Sequence, residues 1–541
     1  MKRLICLLIA AIMTLSFCSC ERNEQSSTGS GHSFAYAIAG NPDTLDPQLA
    51  QNASAKQVLH NLFEGLFVMG ADGTVQNGVA KEYHISDDGL TYTFILREDC
   101  YWYDACRKDA TADLLAAPVN AMDFVFAFER LFDPLYASPH REQYRCIAGA
   151  DAIIDGTQDA SNIGVYAKKT YELEIRLDTP NGDFLYLLAQ TPAMPCRESY
   201  FDACKGRYGL DEASVCGNGS FAMQRWLYDP YGKHNVIQLS RNLKNHETKK
   251  IYPLDLTIYI ENSVSATEQL YTAGKIDCIM TCNNELATTA KGIVTGCDCR
   301  TLGLVANPAS PYAHALVRQA FANTIDISAL SALPDGLQLA DGILPPDVLI
   351  DGKPCREQLS EKIMRTANRS QAKEDFSAAL AELGVEELPE GRIIVPAGWV
   401  DDTVMLELIG QWKETLGLYL SLEELSVEDY AKRLQKGDYT LAIAALEGNR
   451  NTPDALFTSY LTHPAIDVSQ APVHGTAMSE ALIADATAQQ YGEIEQQIMH
   501  AGLFLPLFYG QRYLICRENI TDVQMDAFAG ILYFSQAKCF D

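Results

Sequence analysis

The chain has 541 residues, more than one hydrophobic core serves, so about two to four domains are expected. Apolar residues make up 47% and charged residues 21%, a globular composition that excludes a disordered chain. The formal charge of −28 argues against a nucleic-acid partner and against electrostatic docking onto anionic lipid, since both would be repelled.

The chain opens as an export signal. Lys2 and Arg3 precede an apolar run over residues 4–17, followed by Ser19 and Cys20. Such a run is too short for a comfortable membrane span and reads as a signal peptide over 1–19. Ser19 and Cys20 resemble the acylation box of bacterial lipoproteins, with Cys18 as the alternative acceptor behind the bulky Phe17. Residues 20–32 are polar, rich in Ser and Gly, and lack an apolar period, so they form a flexible tether. No later stretch is long and apolar enough to span a membrane.

Beyond the tether, strands and helices are interleaved. Residues 90–97, LTYTFILR, alternate loosely as a strand. Asn120 and Asp123 predict a helix cap, with Phe124, Phe128 and Leu131 on one face and Asp133-Pro134 as the stop. In YELEIRLD, Tyr171, Leu173, Ile175 and Leu177 oppose Glu172, Glu174 and Arg176. In PLDLTIYIE the apolar set is Leu254, Leu256, Ile258 and Ile260. Residues 441–446 read as a buried strand running into Glu447, Asn449, Arg450 and Asn451, a polar cluster of the kind that meets ligands at strand carboxyl ends. A long helical pattern covers 476–500, closed by Gly502 and Pro506. The class is α/β, a mixed α+β arrangement.

Of 16 cysteines, Cys6, Cys18 and Cys20 lie in the leader region, leaving an odd set of 13 that cannot all pair within the chain. Cys278, Cys282, Cys297 and Cys299 have the spacing of a four-thiolate metal site. Both segments also read as strands, where cysteine is a small core residue, and no metal or cofactor is expected. Cys100 with Cys106, and Cys196 with Cys204, are local disulfide candidates.

Catalytic motifs are missing. His246-Glu247 is not followed by a second histidine at helical spacing, and there is no Gly-x-Ser-x-Gly elbow or phosphate-cradling loop. Ser-x-x-Lys occurs at Ser370 to Lys373 and at Ser535 to Lys538, without the companion motifs of acylating enzymes. The chain is not expected to be an enzyme.

An ordered series of stretches carries a family resemblance: DTLDPQ at 43–48, LFEGLFVMGADGTVQNGVAKEY at 62–83 and PVNAMDFVFAFERLFDPLYASP at 118–139. IGVYAKKTYELEIRLDTP at 163–180, GNGSFAMQRW at 217–226, YTAGKID at 271–277, VRQAFANTID at 317–326 and LPLFYG at 505–510 continue it. Together they resemble the extracellular solute-binding proteins of oligopeptide and dipeptide ABC importers, family 5. The resemblance implies a periplasmic-binding-protein-like fold, with two lobes joined by a hinge and an extra inserted domain. Lobe I would comprise 33–62, 178–278 and 508–541, the inserted domain 63–177, and the remaining lobe 279–507. It also implies a monomeric, lipid-anchored receptor that closes on an oligopeptide and delivers it to permease and ATPase subunits. A non-peptide solute (an oligosaccharide or metallophore) and a sensing or chaperone role without transport are the alternatives.

In the peptide-binding members the ligand lies extended, like an added strand. Here the expected cleft residues are Gly40, Asn41, Pro42, Asp43 and Thr44 of one loop, and Ala444, Ala445 and Leu446 of the late strand. His140, Phe508 and Tyr509 complete the set. Family receptors commonly carry Gly-Trp-x-Ala-Asp after that strand, whose aspartate pairs with the peptide amino group. Ungapped counting puts Leu446 at the tryptophan position and Asn449 at the aspartate position, with Glu447 as the possible replacement carboxylate. A further cleft tryptophan falls on Val427, and ligand-end arginines fall on Leu434 and Ile443.

Overall fold

A computed structural model describes residues 32–70, 73–103, 117–232, 234–326, 330, 333, 337–350, 352–359, 367–470 and 486–540. The expected leader and anchor residues, Cys106, and residues 476–485 lie outside the described residues, and the helix expected over 476–500 begins at Ala488, where Thr487 is its extended N-cap. None of the described helices is long and apolar enough to cross a membrane.

In chain order, β1 covers Ser33–Ala39, α1 Ala53–Leu62, β2 Ala80–Ile85, β3 Thr91–Leu96, α2 Ala121–Phe132, β4 Val165–Lys169 and β5 Glu172–Arg176. Next come β6 Phe221–Leu227, β7 Val236–Arg241, β8 Asp255–Glu261, α3 Val264–Thr272 and β9 Cys278–Thr281. The remainder includes β10 Ile293–Ala306, β11 Leu337–Leu339, β12 Gly391–Pro396, α4 Asp402–Leu416 and β13 Leu420–Leu425. It closes with α5 Val427–Lys436, β14 Leu441–Glu447, α6 Pro453–Thr462, α7 Ala488–Ala501 and β15 Leu505–Cys516.

Three sheets dominate. The first has the order β1-β8-β7-β6, with β1 parallel to β8 and the other pairs antiparallel. The second is the antiparallel sheet β2-β3-β5-β4, inserted between β1 and the rest of the first. The third has the order β9-β15-β10-β14-β12-β13, with β11 also on β15. The first two share one apolar core that runs from Phe34 through Leu62 and Phe94 to Phe128 and Leu173.

Local expectations hold where the pattern is strong. Leu173 and Ile175 are buried on β5, as are Leu256, Ile258 and Ile260 on β8, because alternate side chains of a strand face one side. Leu254 instead stays exposed before β8. Asn120 and Asp123 form a reciprocal capping box on α2, and Phe124, Phe128 and Leu131 are fully buried. Gly502 ends α7 at φ 64°, a left-handed conformation that only glycine adopts without strain.

Strand β14 shows why 441–446 is apolar throughout. Leu441 and Ile443 enter a core with Leu304, Trp412 and Phe508. Ala442, Ala444 and Leu446 enter a second core on the other face, with Phe457 and Tyr460. A strand buried on both faces needs no polar alternation. The chain enters this sheet through β9 and leaves it at the end of β15. These are antiparallel neighbours in which Cys278 lies opposite Cys516.

Candidate functional site

The 40–44 loop leaves β1 at Gly40, whose φ of +100° turns the chain where an L side chain would be strained. Its polar side chains are largely committed to partners within the protein. Asn41 Oδ1 accepts from Trp226 Nε1 at 2.9 Å, and its carbonyl accepts from Asn52 Nδ2 at 2.9 Å. Asp43 is exposed, yet Oδ1 accepts from the Thr44 N–H at 3.0 Å and Oδ2 from the Gln51 N–H at 2.9 Å. Thr44 donates to the Gly209 carbonyl at 3.2 Å, and Pro42 is buried. Just beyond, the carboxylate of Asp46 pairs with the guanidinium of Arg130, both only about 2–3% exposed, and Arg130 Nη1 donates to Gln48 Oε1 at 2.8 Å. The loop is a rigid shelf.

Strand β14 provides an open edge. Along its whole length it pairs antiparallel with β10, whereas β12 pairs with it only at Leu441 and Ala442. Past that point, the Ile443 carbonyl accepts from the Tyr430 hydroxyl at 2.8 Å, and the Glu447 N–H donates to Ser459 Oγ at 3.2 Å. Odd-numbered residues therefore present their main-chain groups to this edge, because successive peptide groups alternate sides. Ala445, between the two capped positions, has no strand partner there.

The polar knot after the strand is not a free carboxylate. Glu447 Oε2 accepts from Arg512 Nη2 at 2.8 Å, and Arg300 Nε lies 3.3 Å from Oε1. Burial raises the carboxyl's pKa, but Arg512 and then Arg300 outweigh it, so the group titrates below the ordinary glutamate range. Arg300 also stacks over the Trp399 ring at 4.1 Å. Two guanidiniums sharing one carboxylate leave this end of the strand net positive. Glu447 is thus unsuited to replace the amine-binding aspartate.

Asn449 is exposed, and its carbonyl accepts from the Tyr186 hydroxyl at 2.8 Å. Next to it, Arg450 Nη1 lies 2.6 Å from Asp183 Oδ1, and the same guanidinium pairs with Asp454 and stacks on Tyr186 at 4.9 Å. On another flank, the Val264 N–H donates to Glu428 Oε1 at 3.1 Å. Both contacts tie segments before β9 to segments after it.

The other expected lining residues are core residues. Ala444, Leu446 and Phe508 have no exposed surface, because their side chains lie between the large sheet and its covering helices. Tyr509 is buried and donates to Asp341 Oδ1 at 2.6 Å. His140 is buried, with Nε2 2.8 Å from the Ala50 carbonyl, and burial lowers its pKa. It supports the 40–50 loop from behind. Of the β14 residues, 444 and 446 have their main chain committed to β10, so a ligand would meet only Ala445. No hydrogen bond or ion pair among the described residues joins 40–44 to 444–449.

Pattern reading missed Arg300, Arg512, Tyr186 and Asp183. Arg512 carried a usable signal as the lone charge of a largely apolar inner strand, and Arg300 a weaker one, since Asp298 shares its strand. Tyr186 and Asp183 carried none, because only the fold brings them to Arg450. The four-thiolate arrangement does not form: Cys278 faces Cys516, far along the sheet from Cys299. Cys196 and Cys204 likewise form no disulfide with each other.

A cavity of about 640 Å³ lies elsewhere. It sits between the end of α1, the start of the inserted segment and C-terminal residues 524–536, lined among others by His60, Glu64, Gln76, His246 and Tyr533.

Comparison with known proteins places the chain. Residues 74–467 match the model of the bacterial extracellular solute-binding proteins, family 5. The periplasmic oligopeptide-binding protein OppA of Salmonella typhimurium is 26% identical over 487 residues, covering 86% of this chain and 85% of OppA. The probable deoxycholate-binding periplasmic protein YgiS of Escherichia coli is 24% identical over 498 residues, covering 88% of each chain. Among solved structures, Listeria monocytogenes OppA bound to peptide superposes with a TM-score of 0.71 at 19% identity, covering 95% of this chain and 100% of that one.

Proposed function

Because the chain belongs to the bacterial extracellular solute-binding proteins, family 5, we propose that it captures oligopeptides and delivers them to an ABC permease and its ATPase. The observation that carries this reading is the open edge of β14. An extended peptide added there gains main-chain hydrogen bonds at Ala445 whatever its sequence. The 40–44 shelf supplies the opposite wall, and the 178–278 and 279–507 segments close on the ligand about β9 and β15. The inserted sheet falls within 63–177, and 33–62 with 508–541 complete lobe I. The receptor acts as a monomer held to the membrane by acylation of Cys20, with Cys18 as the alternative acceptor.

The ligand grip differs from that of receptors with an amine-binding aspartate. Glu447 is engaged by Arg300 and Arg512, so the amino end of a peptide meets the neutral Asn449 side chain. The similarity to a probable deoxycholate-binding protein favours, as a second reading, a non-peptide solute in the same cleft.

Mass spectrometry of ligand released by mild denaturation separates the two. Peptides are expected, and a population consisting only of sterols, glycans or chelators excludes the first reading. Ala445→Pro removes the edge N–H without touching a sheet hydrogen bond and should weaken peptide affinity about 10-fold. Loss of fatty-acid labelling in Cys20→Ala, with Cys18 kept, checks the anchor.

A further inference from the structure

Three segments that are distant in sequence bring a carboxylate, a thiol and an imidazole together beside the 640 Å³ cavity. Glu64 follows α1, Cys100 follows β3 and His246 follows β7. One ligand-capable atom of each lies within 4.8 Å of the others. His246 Nε2 sits 2.9 Å from Glu64 Oε1, and the His246 side chain is only 8% exposed. Its other ring nitrogen, Nδ1, is buried and has no hydrogen-bond partner. A buried imidazole, thiol and carboxylate whose donor atoms converge in this way make up the donor set of a zinc-class site. Cys100 is 3% exposed.

We propose that Glu64, Cys100 and His246 form a divalent-cation site of the zinc class, with a fourth coordination position opening on the cavity. Sulfur, nitrogen and oxygen donors in one set suit Zn²⁺ better than Mg²⁺ or Ca²⁺, which take oxygen alone. On binding, the Cys100 thiol gives its proton to solvent, and thiolate, carboxylate and neutral imidazole surround the ion. The nearby charges favour a cation. Asp99 and Glu247 both act on His246. The adjacent guanidinium, Arg97, pairs with Asp99 at 3.1 Å and also reaches the Cys100 thiol, a contact the ion would replace. Asn245 Nδ2 approaches Glu64 Oε2 at 3.4 Å and orients the carboxylate.

The ion would staple the inserted sheet to the first sheet, since Cys100 comes from one and His246 from the other. This role is independent of which solute the main cleft holds.

The test uses the full exported chain, freed of metal, titrated with Zn²⁺ and separately with Co²⁺. One ion per chain is expected at this site, with a thiolate-to-cobalt charge-transfer band and a rise in the midpoint of thermal unfolding. His246→Gln and Cys100→Ser should each lower Zn²⁺ affinity about 100-fold or more and abolish the band, whereas Cys539→Ser leaves both intact. Wild-type affinity and an intact band in His246→Gln and Cys100→Ser overturn the proposal. X-ray absorption of the wild-type zinc form serves if either variant fails to fold. A single sulfur among the ligands supports the site, and none or several sulfurs overturn it.

Discussion

Arg512 Nη2 lies 2.8 Å from Glu447 Oε2, and this pair rather than a free carboxylate ends the strand that borders the proposed cleft. Removing the carboxylate leaves Arg300, which has only 1% of its side chain exposed, and Arg512 without their shared counter-ion. Glu447→Gln should therefore destabilise the fold by about 2–3 kcal/mol, less than a fully buried pair because the Glu447 side chain is 33% exposed. Urea unfolding measures this. Affinities for free-amine and N-acetylated peptides should fall together, and a loss confined to free amines would show that Glu447 does grip the amino end.

The 40–44 shelf depends on a pair behind it. Asp46 and Arg130 are both buried, and Arg130 also stacks on Phe201 at 4.1 Å. Asp46→Ala strands that guanidinium, at a cost of about 3–5 kcal/mol. The midpoint of denaturant unfolding should drop accordingly, with ligand affinity falling as the shelf loosens.

Tyr186 and Arg450 join residues before β9 to residues after it. Tyr186→Phe removes the hydrogen bond to the Asn449 carbonyl, worth about 1 kcal/mol. If that bond is made only in the closed state, apparent ligand affinity should fall about 5-fold. Small-angle scattering of the ligand-free protein should show a larger radius of gyration for Arg450→Ala. An unchanged affinity and radius would place these contacts outside the closing motion.

Acid should unfold the protein partly through imidazoles. Burial, then the neighbouring Lys56, lowers the His60 pKa to about 4. Burial lowers His463 to about 4 as well, against the opposing pull of Glu447. Both folded values lie below the unfolded value, so the stability they contribute is full above about pH 6.5 and is lost as pH falls towards 4. Each contributes at most about 1.4 kcal/mol per pH unit in that window. His60→Gln should flatten the dependence of the unfolding midpoint between pH 6.5 and 4, while leaving the region above pH 7 unchanged.

Local chemistry was legible in the sequence wherever one residue pattern sufficed. Alternation gave β5 and β8, the Asn120/Asp123 spacing gave the α2 cap, and the uniformly apolar 441–446 run gave an inner strand. The ordered family stretches gave the fold, because they span the chain and carry their topology with them. Cleft chemistry was less accessible. Ala444, Leu446 and Phe508 read as lining residues, but period-2 geometry turns their side chains into the two cores that flank the large sheet. Glu447 read as an available anion until β10 and β15 placed Arg300 and Arg512 against it. Tyr186 meets Asn449 across 263 positions, and His246 meets Glu64 across 182. The sequence by itself determined which segments are strands, helices and caps, since those depend on neighbours within a few residues. Which charges are spent, which strand edge is left open and which donors converge were decided only by the tertiary structure, because burial and pairing arise between residues that the chain keeps far apart.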